Sequence, residues 1–390
     1  MKAIYYTLII SLLPTAIAAQ DIDSYAREIA LRNPEVLAAK HNYESQIEGF
    51  RADNTLEGLE VDFGYKFSNV SNDDNKWGIS VGQSFDWPGV YSARKKSNTY
   101  RAEAFENLYR GELLKSALEI KQLLLNAAVA QQKADILAEA QANIDRLTAA
   151  YNRAYEQGEA TILEVKKLSL QSFEISSQYA KAQAEADAFK STLKALNGNE
   201  EVVIPSHLDL PPLLPYHVYQ SQLIENDPIV AANDKLQHSA AAEISAGRRS
   251  AMPSFKIAYT HDYEERSHFN GFSIGFSLPR WSNKHSIRAA KAAAEAMNYD
   301  EYSMRRNAEM SSDYALATRL ASRVENAKAV FDNDDYTQVL TKALDGGKLN
   351  IFEYLREYND YLEARAEYVE LQGQLALALA SLNRYNLLRL

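Results

Sequence analysis

The chain has 390 residues, no cysteine and a formal net charge of −10 at pH 7. The lack of cysteine excludes disulfides, thiolate metal sites, cysteine nucleophiles and a lipid attached to cysteine. The acidic balance argues against a nucleic-acid partner, which needs clustered lysine and arginine. After residue 19, no 18-residue stretch is apolar and uncharged enough to cross a bilayer as a helix. With a mean hydropathy of −0.38, the composition at first suggests a soluble protein.

Residues 1–19 have the layout of a secretory signal peptide. Lys2 precedes an apolar run, and Pro14 lies near the end of that run. Small residues follow, and they predict cleavage after Ala18 or Ala19. The run is too short for a comfortable transmembrane helix, and polar sequence follows it at once. The pattern predicts an exported protein, with a buried N-terminal helix as the alternative.

The rest of the sequence contains one pattern twice. Asn33-Pro34 and Asp227-Pro228, which are 194 residues apart, each open a helical stretch. Further matches follow in the same order at offsets that fall steadily from 191 to 186 residues: Pro88 with Pro279, Gly158 with Gly347, and Asn197 with Asn383. Ordered matches of this kind predict two copies of one structural unit.

The two copies are predicted to span residues 20–198 and 219–390. Residues 199–218 contain four of the ten prolines, so they predict an extended linker between the copies. Each copy is predicted to contain a short helix, then two strands, then a long helical hairpin. The hairpins cover about residues 90–197 and 284–388.

Period-two alternation of apolar and polar residues predicts four strands. These are residues 59–68, 77–86, 254–262 and 269–278. One face of each strand is apolar, and the other is mostly Gly and Ser. This pattern fits either a half-buried sheet on a soluble core or strands of an outer-membrane barrel. Four strands cannot enclose a pore, so a barrel would need several chains.

The helices are predicted to be unusually long. From Val90 to about Tyr155 there is no proline, and such a helix would extend about 100 Å at roughly 1.5 Å per residue. Apolar residues at heptad spacing predict coiled-coil seams, in one helix at Ile175, Tyr179, Ala182, Ala186, Phe189, Leu193 and Leu196 and in another at Leu371, Leu375, Ala378 and Leu382. Such helices form an elongated molecule.

Glycines predict the tips of both hairpins, because glycine readily takes the left-handed conformation that ends a helix. Gln157-Gly158 mark the first tip, and Gly346-Gly347 mark the second. In the second hairpin, the acidic run at 333–335 predicts an interruption partway along the helix.

Together these features resemble the TolC-like outer-membrane efflux channels. The resemblance rests on the signal peptide, the duplicated unit, the strands that end in Trp87-Pro88 or Leu278-Pro279, and the two tips. The tips match the family's pattern of Gly, a short apolar stretch, and an acid followed by an aliphatic residue, in residues 158–165 and 347–355. No single motif is specific, but their order and duplication are, and the resemblance covers nearly the whole mature chain.

The resemblance implies a mainly α fold with a small β part, assembled as a homotrimer. Each chain would give four strands to a 12-stranded β-barrel, continuous with a barrel of long antiparallel coiled-coil hairpins. The trimer would be the exit duct of a tripartite efflux pump or type I secretion system. It would sit in outer-membrane lipid with a large periplasmic portion, and it would reach an inner-membrane pump through a periplasmic adaptor.

The resemblance also implies roles for single residues. Glu353 falls where the family often has the first acid of a ring at the periplasmic gate. Where some members have a second acid, this chain has Arg356, followed by Glu357, so it departs from a simple acidic ring. The alternative at the gate is that Arg356 pairs with Glu353 or Glu357 and locks the closed state. The residues implied for the gate are Glu353, Arg356, Glu357 and Glu164, with solvated charges on a helix face as the alternative.

Two further groups of residues are implied in the same way. Pro88 and Pro279 would lie where barrel strands become helices. The tip residues implied for adaptor contact are Gln157, Gly158, Gly346, Gly347, Lys348 and Asn350. Exposed turn residues are commonly polar, so solvated tips are the alternative.

No residues predict catalysis or a cofactor. The seven histidines include no i, i+4 pair of the kind that binds metal on a helix, and His261 and His268 flank a strand turn. Hydrolase motifs and phosphate-binding glycine loops are also absent from the sequence. The sequence therefore predicts a passive channel that takes energy from a partner. The alternative is a periplasmic coiled-coil adaptor or scaffold that never enters the membrane.

Overall fold

The computed structural model describes residues 22–52, 54–69, 75–249, 252–264, 267–277, 284–331 and 335–389, with side chains except at 247 and 284–299. The predicted signal peptide and Pro279 lie outside the described residues. The first half contains α1 (Ile22–Arg32), α2 (Pro34–Ala52), β1 (Glu60–Lys66), β2 (Lys76–Phe85), α3 (Val90–Glu156) and α4 (Ile162–Leu196). The second half contains α5 (Tyr216–Asn226), α6 (Pro228–Arg249), β3 (Ser254–Glu264), β4 (Ser267–Ser277), α7 (Lys284–Phe331), α8 (Tyr336–Asp345), α9 (Ile351–Leu382) and a 3₁₀ helix (Arg384–Leu388).

The order of elements repeats, but each half opens with two helices where one was predicted. Asn33 and Asp227 stand between the two. The side-chain oxygen of Asn33 accepts the N–H of Glu35 at 3.0 Å, and Asp227 accepts that of Ile229 at 2.8 Å. These contacts satisfy N–H groups at the start of α2 and α6, where proline has no N–H to lose. In the second half, α5 begins at Tyr216, inside the predicted linker.

The four strands form one antiparallel sheet in the order β1-β2-β3-β4. The central pairing joins the two halves of the chain, with Ile79 opposite His261 and Phe85 opposite Phe255. β1 and β4 are the two edges of this sheet. Among the residues that the structure describes, each edge strand pairs along one side only.

The 67-residue helix α3 is the packing centre of the protomer. The middle of α3 packs with α1 and α9 in a cluster that includes Ile29, Leu124 and Leu379. The C-terminal part of α3 packs with α4, α8 and α9 in a second cluster that includes Ile144 and Leu168. The predicted seams are confirmed, because every residue of both heptads is buried or half-buried.

The second hairpin differs from the first in one respect. Asp335, the last residue of the acidic run that predicted an interruption, is not helical, and α8 begins after it at Tyr336, whereas α3 is continuous. Residues 333 and 334 of that run lie outside the described residues. The tyrosines of α9 are packing residues. Tyr354 and Tyr358 are buried and stack with ring centroids 5.7 Å apart, and Tyr361 stacks on Tyr336 at 5.4 Å.

None of the described helices contains a segment long and apolar enough to cross a membrane.

The packing on α3 predicts the effect of a cavity. Leu124 is fully buried, so Leu124→Ala should lower the free energy of unfolding by about 3 kcal/mol. Leu170→Ala on α4 is the control, because Leu170 is 59% exposed and its truncation should change stability little. Denaturant unfolding of the detergent-solubilised protein, followed by circular dichroism, measures both. Equal effects of the two substitutions would contradict the packing described.

Candidate functional site

One face of the sheet is apolar and uncovered in the protomer. Phe272 is 82% exposed and Phe276 is 72% exposed, although both are large aromatic residues. The cross-strand register places the apolar residues of all four strands on this face: Val61, Phe63, Tyr65, Ile79, Val81, Ile257, Tyr259, Phe272, Ile274 and Phe276. A continuous apolar surface of this kind marks contact with a membrane or another protein.

The opposite face carries small residues, but it also carries charges that the prediction of a mostly Gly and Ser face left out. Lys256 contacts Glu60, and its Nζ lies 3.4 Å from Oδ2 of Asp62. These groups come from β3 and β1, so the lysine side chain crosses β2. Gly82 of β2 makes room for it, since a Cβ there would lie 2.5 Å from Cε of Lys256.

The strands join the long helix through a tight turn at Pro88. The N–H of Val90 donates to the carbonyl of Trp87 at 3.0 Å, and Gly89 has φ 96° and ψ −15°. These angles belong to the third residue of a type II turn, which favours proline just before it. Arg249 of α6 donates to the carbonyl of Gly89 at 3.0 Å and holds the turn. Pro88 therefore lies at a junction of strand and helix.

The two hairpin tips end their first helices in the same way. Gly158 and Gly347 have φ of 77° and 67°. At the first tip, the N–H of Glu159 donates to the carbonyl of Ala154 at 2.8 Å. At the second, the N–H of Lys348 donates to the carbonyl five residues earlier at the same distance, so both tips are Schellman motifs. Gln157 and Gly346 are the helix caps that precede the left-handed glycines.

Both tips also begin their second helices in the same way, through a capping box. The N–H of Asn350 donates to Glu353 at 3.0 Å, and the N–H of Glu353 donates back to Asn350 at 2.9 Å. Thr161 and Glu164 exchange the same two contacts at 2.6 and 3.3 Å. The pattern of a polar residue followed three positions later by Glu was visible in the sequence, and it assigns both acids a local role.

Arg356 pairs with Glu357 and not with Glu353. Its Nη2 lies 2.8 Å from Oε1 of Glu357, and Tyr336 at the start of α8 donates to the same carboxylate at 3.4 Å. The hydrogen bond from Arg356 lowers the pKa of Glu357, so the carboxylate stays charged at neutral pH. Glu353 and Arg356 are exposed in the protomer.

Polar contacts that the sequence analysis missed hold α9 against the first hairpin. Gln171 is buried, and its amide exchanges two hydrogen bonds with Asn359 at 3.0 and 3.1 Å. Asn143 donates to the hydroxyl of Tyr354 at 2.9 Å. Arg365, also on α9, pairs with Glu139 of α3, with its Nη1 2.9 Å from Oε2 of the carboxylate. These residues lie far apart in sequence and come together only in the folded chain.

The buried Asp227 forms a second unexpected contact. Its Oδ2 accepts the hydroxyl of Tyr302 at 2.9 Å and that of Tyr385 at 2.8 Å. Burial, together with the carboxylate of Asp227, raises the pKa of both tyrosines. The cluster ties the start of α6 to α7 and to the C-terminal 3₁₀ helix.

In the part of the chain that the structure describes, no group of three or more His, Cys, Asp or Glu has the arrangement of a metal site.

No protein-family model matches the sequence. No curated protein matches it either. Solved structures match over almost the whole chain. A membrane protein from Pseudomonas aeruginosa has a TM-score of 0.74 at 15% identity, covering 94% of this chain and 93% of that one.

Two further solved structures are outer-membrane or transmembrane channels. CusC, described through its folding and transmembrane channel formation, has a TM-score of 0.74 at 16% identity, covering 96% of this chain and 95% of its own. The outer-membrane channel CmeC of Campylobacter jejuni has a TM-score of 0.73 at 14% identity, covering 94% and 85%. The fold is therefore TolC-like, which confirms the resemblance and the predicted fold class of long helices with a small sheet.

The left-handed glycines at the tips predict that replacing them with alanine lowers the stability of the protein. Gly347→Ala should cost about 1–2 kcal/mol of stability, because a Cβ is strained in the left-handed conformation even though the space around it is open. Gly58→Ala has the same open space without a positive φ, so it should cost little. Denaturant unfolding compares the two. If Gly347→Ala and Gly58→Ala lowered the free energy of unfolding equally, the left-handed conformation of Gly347 would not be what makes alanine unfavourable there.

Proposed function

We propose that this chain is the outer-membrane exit duct of a tripartite efflux or type I secretion system, working as a passive homotrimeric channel. The observation that carries the proposal is a four-stranded sheet with two unpaired edges and an uncovered apolar face, joined to helices of up to 67 residues. The TolC-like fold supports it and favours a channel over a periplasmic adaptor. The signal sequence supports export.

The edges of the sheet support a barrel shared between chains. In a bilayer every backbone N–H and C=O must be paired, so an open sheet cannot sit there. β4 runs opposite to β1, and β4 of one chain can therefore pair antiparallel with β1 of the next. Three chains would close a twelve-stranded barrel, whereas eight strands leave an interior filled by side chains. The apolar face would meet lipid, and the face with Lys256 would line the lumen.

The helices would continue the barrel as a tunnel across the periplasm. At about 1.5 Å per residue, α3 spans about 100 Å. Pro88 marks the change from barrel to tunnel in the first half, and Pro279 is proposed to do so in the second. The tip residues Gln157, Gly158, Gly346, Gly347, Lys348 and Asn350 would face a periplasmic adaptor, which links the duct to an inner-membrane pump that supplies energy.

We infer that the second hairpin carries the gate. Its helix α8 begins after the non-helical Asp335, and the hydroxyl of Tyr336 at this start donates to Glu357 of α9. Three copies of Glu353 around a narrow opening would concentrate negative potential and favour cations. Arg356 forms its ion pair with Glu357 and not with Glu353, and Glu164 would stand in the corresponding place on the first hairpin.

Disulfide trapping tests the shared barrel, since the chain has no cysteine of its own. We expect Phe63→Cys on β1 combined with a cysteine scan at 270, 272 and 274 on β4 to give disulfide-linked dimers and trimers. Within one chain these strands are three spacings, or about 14 Å, apart, too far for a disulfide. Non-reducing electrophoresis of isolated outer membranes shows the products.

The matched control places the two cysteines on adjacent strands, β1 and β2, so that they can form a disulfide within one chain. Phe63 lies opposite Ile79 in the sheet, so Phe63→Cys with Ile79→Cys should give monomers only. Recovery of the protein in the soluble periplasmic fraction, or no linkage at any β4 position, would contradict the shared barrel.

The gate is tested by separating charge from capping. Glu353→Gln keeps the capping box but removes the charge. It should reduce the cation preference of the channel, measured as the reversal potential across a planar bilayer under a salt gradient. Glu363→Gln on the exposed side of α9 is the control and should change nothing. Glu164→Gln applies the same test to the first hairpin.

If the reversal potential and the current were unchanged in Glu353→Gln, the charge of Glu353 would have no role at the gate, and the residue would only cap the helix. Glu353→Ala then measures the capping role alone, as a loss of stability.

A further inference from the structure

Two histidines that are seven residues apart in sequence come together on the apolar face of the sheet. In the β3–β4 register, His261 is opposite Asn270 and His268 is opposite Tyr263, so the two histidines are diagonal neighbours. Nε2 of His261 lies 3.3 Å from Nδ1 of His268. Two imidazole nitrogens that bind one tetrahedral metal at about 2.05 Å are themselves about 3.3 Å apart. The pair therefore has the spacing of two metal ligands.

A hydrogen-bond chain orients the first histidine. Nδ1 of His261 lies 2.7 Å from Oδ1 of Asn270, and the hydroxyl of Tyr259 donates to the same oxygen at 2.7 Å. An oxygen that accepts from both neighbours places the proton of His261 on Nδ1, an assignment that follows from the hydrogen-bond pattern. Nε2 then carries a lone pair toward His268. Metal-binding histidines are typically held in this way through their other nitrogen.

We propose that His261 and His268 form a two-histidine site for a divalent transition-metal ion of the class that prefers imidazole nitrogen, which includes Cu²⁺, Ni²⁺ and Zn²⁺. The ion would bridge β3 and β4 close to the turn that joins them and would fasten that hairpin. Water would fill the remaining coordination positions, because the pair lies at the turn end of the hairpin, with His268 one position from the last strand pair, and not in the middle of the apolar face that would meet lipid. The site is independent of the gate and of the hairpin tips.

Trp77 lies close enough to the histidine pair for its fluorescence to report metal binding there. The ring of Trp77 on β2 lies 5.7 Å from that of His261, and the ring of Tyr263 lies 5.0 Å from that of His268. Bound Cu²⁺ quenches the fluorescence of a nearby indole. Loss of Trp77 emission would therefore locate the ion at this pair and not elsewhere on the chain.

The test is a titration of the full-length mature chain with CuCl₂, in detergent and without an affinity tag. We expect one saturable Cu²⁺ per chain by calorimetry, quenching of Trp77, and an electron paramagnetic resonance spectrum with two equatorial nitrogens. Trp77→Phe should remove the quenching but keep the binding. His261→Ala with His268→Ala should abolish the saturable binding, and Asn270→Ala should weaken it about tenfold.

The matched control is His207→Ala with His217→Ala, which removes two exposed histidines from other parts of the chain and should leave affinity unchanged. Equal Cu²⁺ affinity in the His261/His268 double variant, or no saturable binding by the wild type, would overturn the proposal and leave the two rings as a hydrogen-bonded pair. If the double variant fails to fold, the wild-type resonance spectrum decides, because a spectrum without two nitrogens also overturns the site.

Discussion

Side-chain packing along α3 is the interaction on which the rest of the protomer depends. This helix contacts α1, α2 and α4 from its own half of the chain, and α6 and α9 from the other half. Its buried face contains many alanines, among them Ala117, Ala127 and Ala128, which let neighbouring helices approach closely. The two halves are thus held together along one continuous helix, and the sheet and the hairpin tips take their positions from it.

Periodic features of the fold could be predicted from the sequence, because periodicity is a local property. Alternation located the strands, and heptad spacing located the buried seams. α5 was missed because the four prolines of the linker hide its start, although Tyr219 and Leu223 have the helical spacing of its buried face. The capping boxes at Thr161 and Asn350 were readable as well, because each is a local pattern of a polar residue followed three positions later by Glu.

Contacts between distant residues could not be predicted, because they require the register of the sheet or the packing of the helices. Lys256 meets Glu60 across 196 residues of sequence, and Asp227 meets Tyr385 across 158. The histidine pair is a clear case. On a helix, residues seven positions apart would be about 10.5 Å apart along the axis, and only the hairpin register brings the two imidazoles together on one face.

The open edges of the sheet have a consequence for how the chain reaches its final form. Where β1 and β4 find partners only in other chains, part of the backbone pairing follows the law of mass action and depends on the concentration of protomers. Dilution alone then weakens the sheet, while the helical packing within each protomer is unaffected. A free edge beside an apolar face is also a template for unwanted association. In the proposed shared barrel, a newly exported chain would depend on rapid encounter with other copies, and its supply to the membrane would help to determine its folding.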